Sequence, residues 1–264
     1  MSLPKEEALK NVKMFVLDMD GTFYLGDNLI DGALDFIHKV EETGRRFLFF
    51  TNNASNVSAV YKKKLAKMGL EVDESDIVTA GDVTIEYLKT FYPGKRVYLN
   101  GVPLLEESFL KAGIQLVSEK PDVVIQSFDK TLTYQKLVDI CDFIRDGVPF
   151  LATHMDTNCP TEKGFIPDCG AMCDLIYSST GVKPKFLGKP CKETLDMVLK
   201  ITGCSVDEIA FVGDRIYTDV ATGVNNGAKG FLVLTGEADM QTVAESDVEP
   251  TCIYDSLYEM SKYL

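Results

Sequence analysis

No apolar run in the sequence is long enough to span a bilayer. Its densest stretch, Arg46-Phe47-Leu48-Phe49-Phe50, falls far short of the roughly 20 residues a spanning helix needs. Residues 1–11 carry Lys and Glu without the apolar core of an export signal, so a cytoplasmic setting is expected. Positive charge is scarce as well: 27 Lys and Arg against 40 Asp and Glu leave a formal net charge of -13. Nucleic acids and anionic membranes recruit clustered basic side chains, and this balance argues against both as partners. Disulfide patterning is missing: the 7 cysteines are odd in number and scattered, as in a reduced protein. No short repeat or low-complexity tract occurs. Two nucleotide-binding signatures are absent too. No G-x-G-x-x-G follows the first strand pattern, and there is no Walker-type loop.

What is present is a rhythm of short apolar runs, polar turns and amphipathic stretches. Residues 13–17 and 46–50 read as strands, joined by a helix over 33–42. Further strands are expected at 96–99, 123–126, 149–152, 209–212 and 230–234, alternating with helices at 57–68, 82–91, 103–112, 133–146 and 216–225. This alternation predicts the α/β class, a Rossmann-like doubly wound parallel sheet covered on both faces. The block between about 82 and 183 has strand and helix signals of its own and is too long for a loop, so it reads as an inserted α/β domain.

Ligands of such sheets sit beyond the carboxyl ends of the strands. Three polar clusters fall at that end: Asp18-Met19-Asp20-Gly21-Thr22, Thr51-Asn52-Asn53 and Gly213-Asp214. Asp18 and Asp20, two apart on extended chain, project to one side. Their repulsion calls for a proton or a cation between them. Gly21 permits the backbone to turn sharply. Plainer readings stand beside these: an Asp-Gly turn, a capping turn at Thr51-Asn52-Asn53, a solvated Lys189. Their occurrence as one ordered set favours the chemical reading.

That ordered set resembles the haloacid dehalogenase superfamily in its phosphatase branch. D-x-D-G-T at Asp18 matches its first motif, Thr51 its second, and Lys189 in Gly188-Lys189-Pro190 its third. Gly213-Asp214-Arg215-Ile216-Tyr217-Thr218-Asp219 matches the fourth. Leu25-Gly26, Thr51-Asn52-Asn53 and the segment from Pro160-Thr161-Glu162 to Gly188-Lys189-Pro190 are similar to the NagD-like, p-nitrophenylphosphatase group, which has a type II (IIA) cap. The resemblance implies a catalytic core at 1–81 and 184–264 and a cap at 82–183. Hinges would lie near Ala80-Gly81 and 182–186, and the cap is a candidate dimer surface.

It also implies roles. Asp18 would be the nucleophile that forms an aspartyl-phosphate, and Asp20 the acid and base. Magnesium would be held by Asp18, the Asp20 carbonyl and Asp214, while Asp219 orients a metal water or holds Lys189. Thr51, with an N–H of Asn52 or Asn53, and Lys189 would bind the phosphate, Pro190 then opening a helix to Lys200. The expected substrate is a small phosphorylated metabolite, of sugar phosphate or nucleoside monophosphate type, with p-nitrophenyl phosphate turned over in vitro.

The group commonly reads A-T-N-x-D and then P-G-x-G in its cap. Here His154 replaces that Asn, and Pro167-Asp168-Cys169-Gly170 replaces the glycines. His154 is therefore a candidate substrate contact, with packing as the equal alternative. A zinc set of His154, Cys159, Cys169 and Cys173 lacks a C-x-x-C knuckle, and buried thiols are the commoner reading. Two further functions remain: a phosphotransferase or mutase using the same intermediate, and a non-catalytic binding module on this fold. Phosphate release to water alone separates the first from a hydrolase, and any turnover excludes the second.

Overall fold

The computed structural model describes residues 4–161 and 163–264. Residues 1–3, within the stretch expected to carry no export signal, and Glu162, within the Pro160-Thr161-Glu162 segment, lie outside the described residues. The chain divides into two compact units. The first comprises the residues up to Thr51 with Lys62–Val78 and Lys189–Leu264; the second comprises Asn52–Tyr61 and Thr79–Gly188.

In the first unit six strands form one sheet. Their order is Cys252–Tyr254, Lys229–Val233, Ile209–Gly213, Met14–Leu17, Arg46–Thr51 and Ile77–Thr79. Met14–Leu17 pairs in parallel with both neighbours, Leu17 lying level with Val212 on one side and Phe49 on the other. Every residue of Met14–Leu17 and Ile209–Gly213 is buried, which is why these strands read as continuous apolar runs. Helix Ala33–Glu42 buries Ala33, Phe36, Ile37 and Val40, a spacing that lines one face at helical period. Phe36 meets Phe15 edge-on with ring centres 5.3 Å apart.

The second unit carries its own five-stranded parallel sheet, in the order Lys185–Phe186, Phe150–Ala152, Val123–Gln126, Arg96–Asn100 and Gln115–Leu116. An antiparallel pair, Asn158–Thr161 with Gly164–Pro167, adjoins helix Cys169–Thr180. That helix packs Cys169, Cys173 and Ile176 into a core with Val124, Phe128 and Ile140. All seven cysteines are free thiols. No described helix is long and apolar enough to cross a membrane.

The short strands Ile77–Thr79, Lys185–Phe186 and Cys252–Tyr254 carry too few residues to display a period, and sequence reading passes over them. Two helices differ from expectation. The one expected from Pro190 begins at Lys192 and runs to Thr202, capped at Cys191. The one expected over 216–225 is a wide turn, Ile216–Val220, followed by the short helix Ala221–Asn225. Widened turns of this kind recur at functional sites.

Candidate active site

Asp18 is the first residue past strand Met14–Leu17, and its N–H donates to Val212 O at 2.8 Å, holding it beside the next strand. Thr51 closes strand Arg46–Thr51 and Asp214 follows strand Ile209–Gly213. Parallel pairing in register therefore delivers all three to one edge of the sheet. Lys189 joins them from the segment before helix Lys192–Thr202. Its ammonium donates to Asp18 Oδ1 at 2.6 Å, to Asp219 Oδ1 at 2.6 Å and to Phe50 O at 3.2 Å. The Lys189 side chain is only 3% exposed and that of Asp18 15%.

Carboxylate oxygens of Asp18, Asp214 and Asp219 lie within 4.8 Å of one another. Burial drives the Asp18 carboxyl well above its usual range, and Asp219 and Asp214 add repulsion against the pull of Lys189. Burial, then Asp219, pushes Asp214 up to about 6. Burial works against the Lys189 charge, but Asp18 and Asp219 outweigh it and raise the ammonium above its ordinary value. Asp20, two residues beyond Asp18, is exposed to solvent. Partial desolvation raises its carboxyl, with Lys64 and Arg215 acting the other way. A group in that state delivers and recovers a proton readily.

Three glycines make the cluster possible. Gly21 has φ +89°, and a Cβ there would lie 2.4 Å from Asp214 Oδ2. At Gly213 a Cβ would fall 2.2 Å from Asp219 Cγ, and at Gly236 2.0 Å from Asp214 Oδ2. Asp214 is gripped from two further sides: Thr22 Oγ1 donates to its Oδ1 at 3.3 Å and Glu237 N–H to its Oδ2 at 2.7 Å. Thr235 Oγ1 donates to Gly21 O at 2.7 Å, tying the same loop to the first motif. Thr22 entered the sequence reading only as the last member of the D-x-D-G-T motif, and the Thr235-Gly236-Glu237 loop carries no assignment there. The loop's one local signal is a polar triplet just past strand Lys229–Val233, at the same sheet edge as the other clusters.

The remaining candidates belong to the second unit. Asn52 Nδ2 donates to Asp156 Oδ2 at 3.1 Å. Asn53 Oδ1 accepts from Ser55 N–H at 3.0 Å and Ser55 Oγ at 2.8 Å, which is the capping turn foreseen as its plainer reading. His154 has no exposed surface, with Nε2 2.9 Å from Asp168 Oδ1 and Nδ1 3.0 Å from Thr153 Oγ1. Burial disfavours the imidazolium, yet Cys169 and Asp168 prevail and lift the ring to about 9. Both ring nitrogens are thus engaged by side chains of its own unit. Among the described residues, the cluster of potential metal ligands that contains His154 is completed by Asp156 and Asp168 and includes none of the cysteines weighed as zinc ligands.

The donor set of the first unit suits a hard divalent cation. It is all oxygen, and its three clustered carboxylates face one buried ammonium, an excess of negative charge that a cation would offset. The description haloacid dehalogenase-like hydrolase matches residues 15–115, and a second of the same kind, HAD-hydrolase-like, matches 186–260. An acid sugar phosphatase of Staphylococcus aureus is 34% identical over 252 residues, spanning 95% of this chain and 97% of its own. The chain belongs to the haloacid dehalogenase-like hydrolases. A 4-nitrophenylphosphatase from Thermotoga maritima superposes with TM-score 0.93 at 40% identity, covering 97% of this chain and 98% of that one. Glycerol phosphate phosphatase from Mycobacterium tuberculosis, solved with calcium, gives TM-score 0.88 at 26% identity, over 97% of this chain and 77% of that one. Those matches place this family member among phosphatases of the NagD-like, 4-nitrophenylphosphatase kind.

Proposed function

We infer that the chain hydrolyses small phosphoric monoesters, sugar phosphates among them, through a phosphoryl group carried on Asp18. The observation that supports this most is Lys189, buried between Asp18 and Asp219 at 2.6 Å from each, beside Asp214. With Oδ1 of Asp18 bound to Lys189, its other oxygen attacks phosphorus as the P–O bond to the leaving group breaks. Asp20, protonated, gives its proton to the departing oxygen. Water then attacks the phosphorus of the aspartyl-phosphate while Asp20 takes a proton back, and phosphate leaves with the Asp18 carboxylate restored. Thr51 and Lys189 offer a hydroxyl and a positive charge to the phosphoryl oxygens, the electrostatic support this chemistry requires.

Asp18, Asp214 and the Asp20 carbonyl would hold magnesium, and Asp219 would keep Lys189 in place. Bound there, the ion would offset the charge of the phosphate against the surrounding carboxylates. The names of the relatives, acid sugar phosphatase and 4-nitrophenylphosphatase, favour the same substrates for this chain.

The test is release of inorganic phosphate from p-nitrophenyl phosphate and a panel of sugar phosphates, with water as sole acceptor. Asp18→Asn is expected to abolish turnover, a fall of about 10³-fold or more on loss of the nucleophile. EDTA is expected to stop the wild type and magnesium to restore it. Turnover that survives Asp18→Asn or excess EDTA refutes the mechanism.

A further inference from the structure

Asp20 stands in a tight turn, past the end of its strand, and Tyr24 closes that turn. Gly21 N–H donates to Tyr24 O at 2.8 Å, and Tyr24 N–H returns to Met19 O at 3.0 Å. Asp20 and Tyr24 are themselves bridge partners. From Tyr24 the chain enters a two-strand hairpin, Tyr24–Leu25 with Asn28–Leu29, whose tip is exposed. The carboxylate cluster secures one side of the turn, where Thr235 Oγ1 donates to Gly21 O at 2.7 Å. A two-strand hairpin has little stability of its own in water, so the other side needs a hold from elsewhere in the fold.

The Tyr24 ring supplies it. The residue is only 2% exposed, and the Lys64 ammonium lies over its face, 3.8 Å from the ring centre. Among the described residues no other ammonium comes as close to a ring. Lys64 belongs to helix Ser58–Lys67, in the part of it that lies within the first unit, as Tyr24 and Asp20 do. It is half-buried, and among the described residues it makes no ion pair. A partly desolvated ammonium needs a compensating partner. Here that partner is the negative face of a buried ring, whose pull on a cation strengthens as water is removed. Burial lowers the proton affinity of Lys64, while Asp20 and Asp27 act the other way. After burial, Lys64 is in turn the largest influence on the Asp20 carboxyl.

We propose that Lys64 is a positioning residue for the proton step: seated on the Tyr24 ring, it fixes the Asp20–Tyr24 turn and so the point from which Asp20 reaches the leaving oxygen. This role rests on the function inferred above and needs no contact between Lys64 and the substrate. The ring is the link, because Tyr24 is joined to Gly21 by a 2.8 Å hydrogen bond and Gly21 follows Asp20 directly. Displacing an acid from its working geometry slows only those substrates whose leaving oxygen must be protonated as the P–O bond breaks. A sugar alkoxide is such a leaving group, and p-nitrophenolate is not. Loss of the Lys64 charge should therefore separate the two substrates, whereas a general loosening of the core would slow both.

The test measures kcat and KM of the full chain on a sugar phosphate and on p-nitrophenyl phosphate, with melting points alongside. Lys64→Met keeps most of the stem and drops the charge. Its kcat should fall about tenfold on the sugar phosphate and less than about twofold on p-nitrophenyl phosphate, with both KM values nearly unchanged. Lys64→Arg, whose guanidinium also seats on a ring face, should recover to within about threefold of the wild type. Tyr24→Leu should reproduce the Lys64→Met pattern, and the two together should be no worse than either alone. In an Asp20→Asn background, Lys64→Met should cost nothing further, since the group it positions is gone. Equal losses on both substrates with a matching fall in melting point, or an undiminished Lys64→Met effect in Asp20→Asn, overturns the proposal. Should Tyr24→Leu not fold, the Lys64 variants in the two backgrounds decide alone. A wild type that releases phosphate from neither substrate overturns the phosphatase reading and this role with it. A wild type that turns over both, matched by Lys64→Met on the sugar phosphate, overturns this role alone.

Discussion

Replacing Lys189 by Met keeps most of the side chain's length and removes its charge. Three hydrogen bonds disappear, to Asp18 Oδ1, Asp219 Oδ1 and Phe50 O. Three carboxylates whose oxygens lie within 4.8 Å are then left without their buried cation. Removing one partner of a buried ion pair costs about 3–5 kcal/mol, because the other charge stays behind uncompensated. For a unit of this size, each kcal/mol moves the melting point by about 2–4 °C, so the first unit should melt about 6–20 °C lower. Protonating the stranded carboxyls relieves their repulsion, so the deficit should shrink as pH falls toward 5. Magnesium should reduce it too, by supplying the missing positive charge. Turnover should drop about 10²–10³-fold, the usual cost of losing one charge-stabilising group. The assay is calorimetric melting with and without magnesium, paired with p-nitrophenyl phosphate hydrolysis. A variant that melts within about 1 °C of the wild type and keeps half its activity would refute the role assigned to Lys189.

Asp20→Asn should cost far more with a sugar phosphate than with p-nitrophenyl phosphate, whose leaving group departs with little help from an acid; equal losses in kcat on both substrates would contradict a proton-donor role. Gly21→Ala forces a Cβ onto a backbone at φ +89° and to within 2.4 Å of Asp214 Oδ2. A strain of about 1–3 kcal/mol and a weakened magnesium response are expected, readable as a lower melting point and a higher magnesium requirement. His154 is raised from 6.5 to about 9, so its stabilising contribution is complete below pH 6.5, declines between the two values and is lost above about 9. The melting-point gap between wild type and His154→Gln should therefore close as pH rises from 6 to 10, and a constant gap would exclude a charged ring.

Local pattern determined much of this protein. A strand buried on both faces must be a run of apolar residues, and its end is marked where the run stops. Asp18, Thr51 and Asp214 each follow such a stop, so their placement at one sheet edge was legible once parallel strands were inferred. Lys189 and Asp219 were legible only as members of an ordered motif set. What held them together was not, because it spans the chain: Lys189 reaches Asp18 across 171 positions and Thr235 reaches Gly21 across 214. No periodicity reports such contacts, since a local pattern records what one segment buries and not what it meets. For the same reason Thr22, Gly213 and the Thr235-Gly236-Glu237 loop gained their meaning only when a missing Cβ or a hydroxyl was found against Asp214 or Asp219. His154 shows the reverse case. Its sequence position suggested substrate and packing equally, and the folded unit occupied both ring nitrogens with Thr153 and Asp168. Residue order decided which chemical groups are available; tertiary structure decided which are paired, because burial and pairing are properties of neighbours brought from far along the chain.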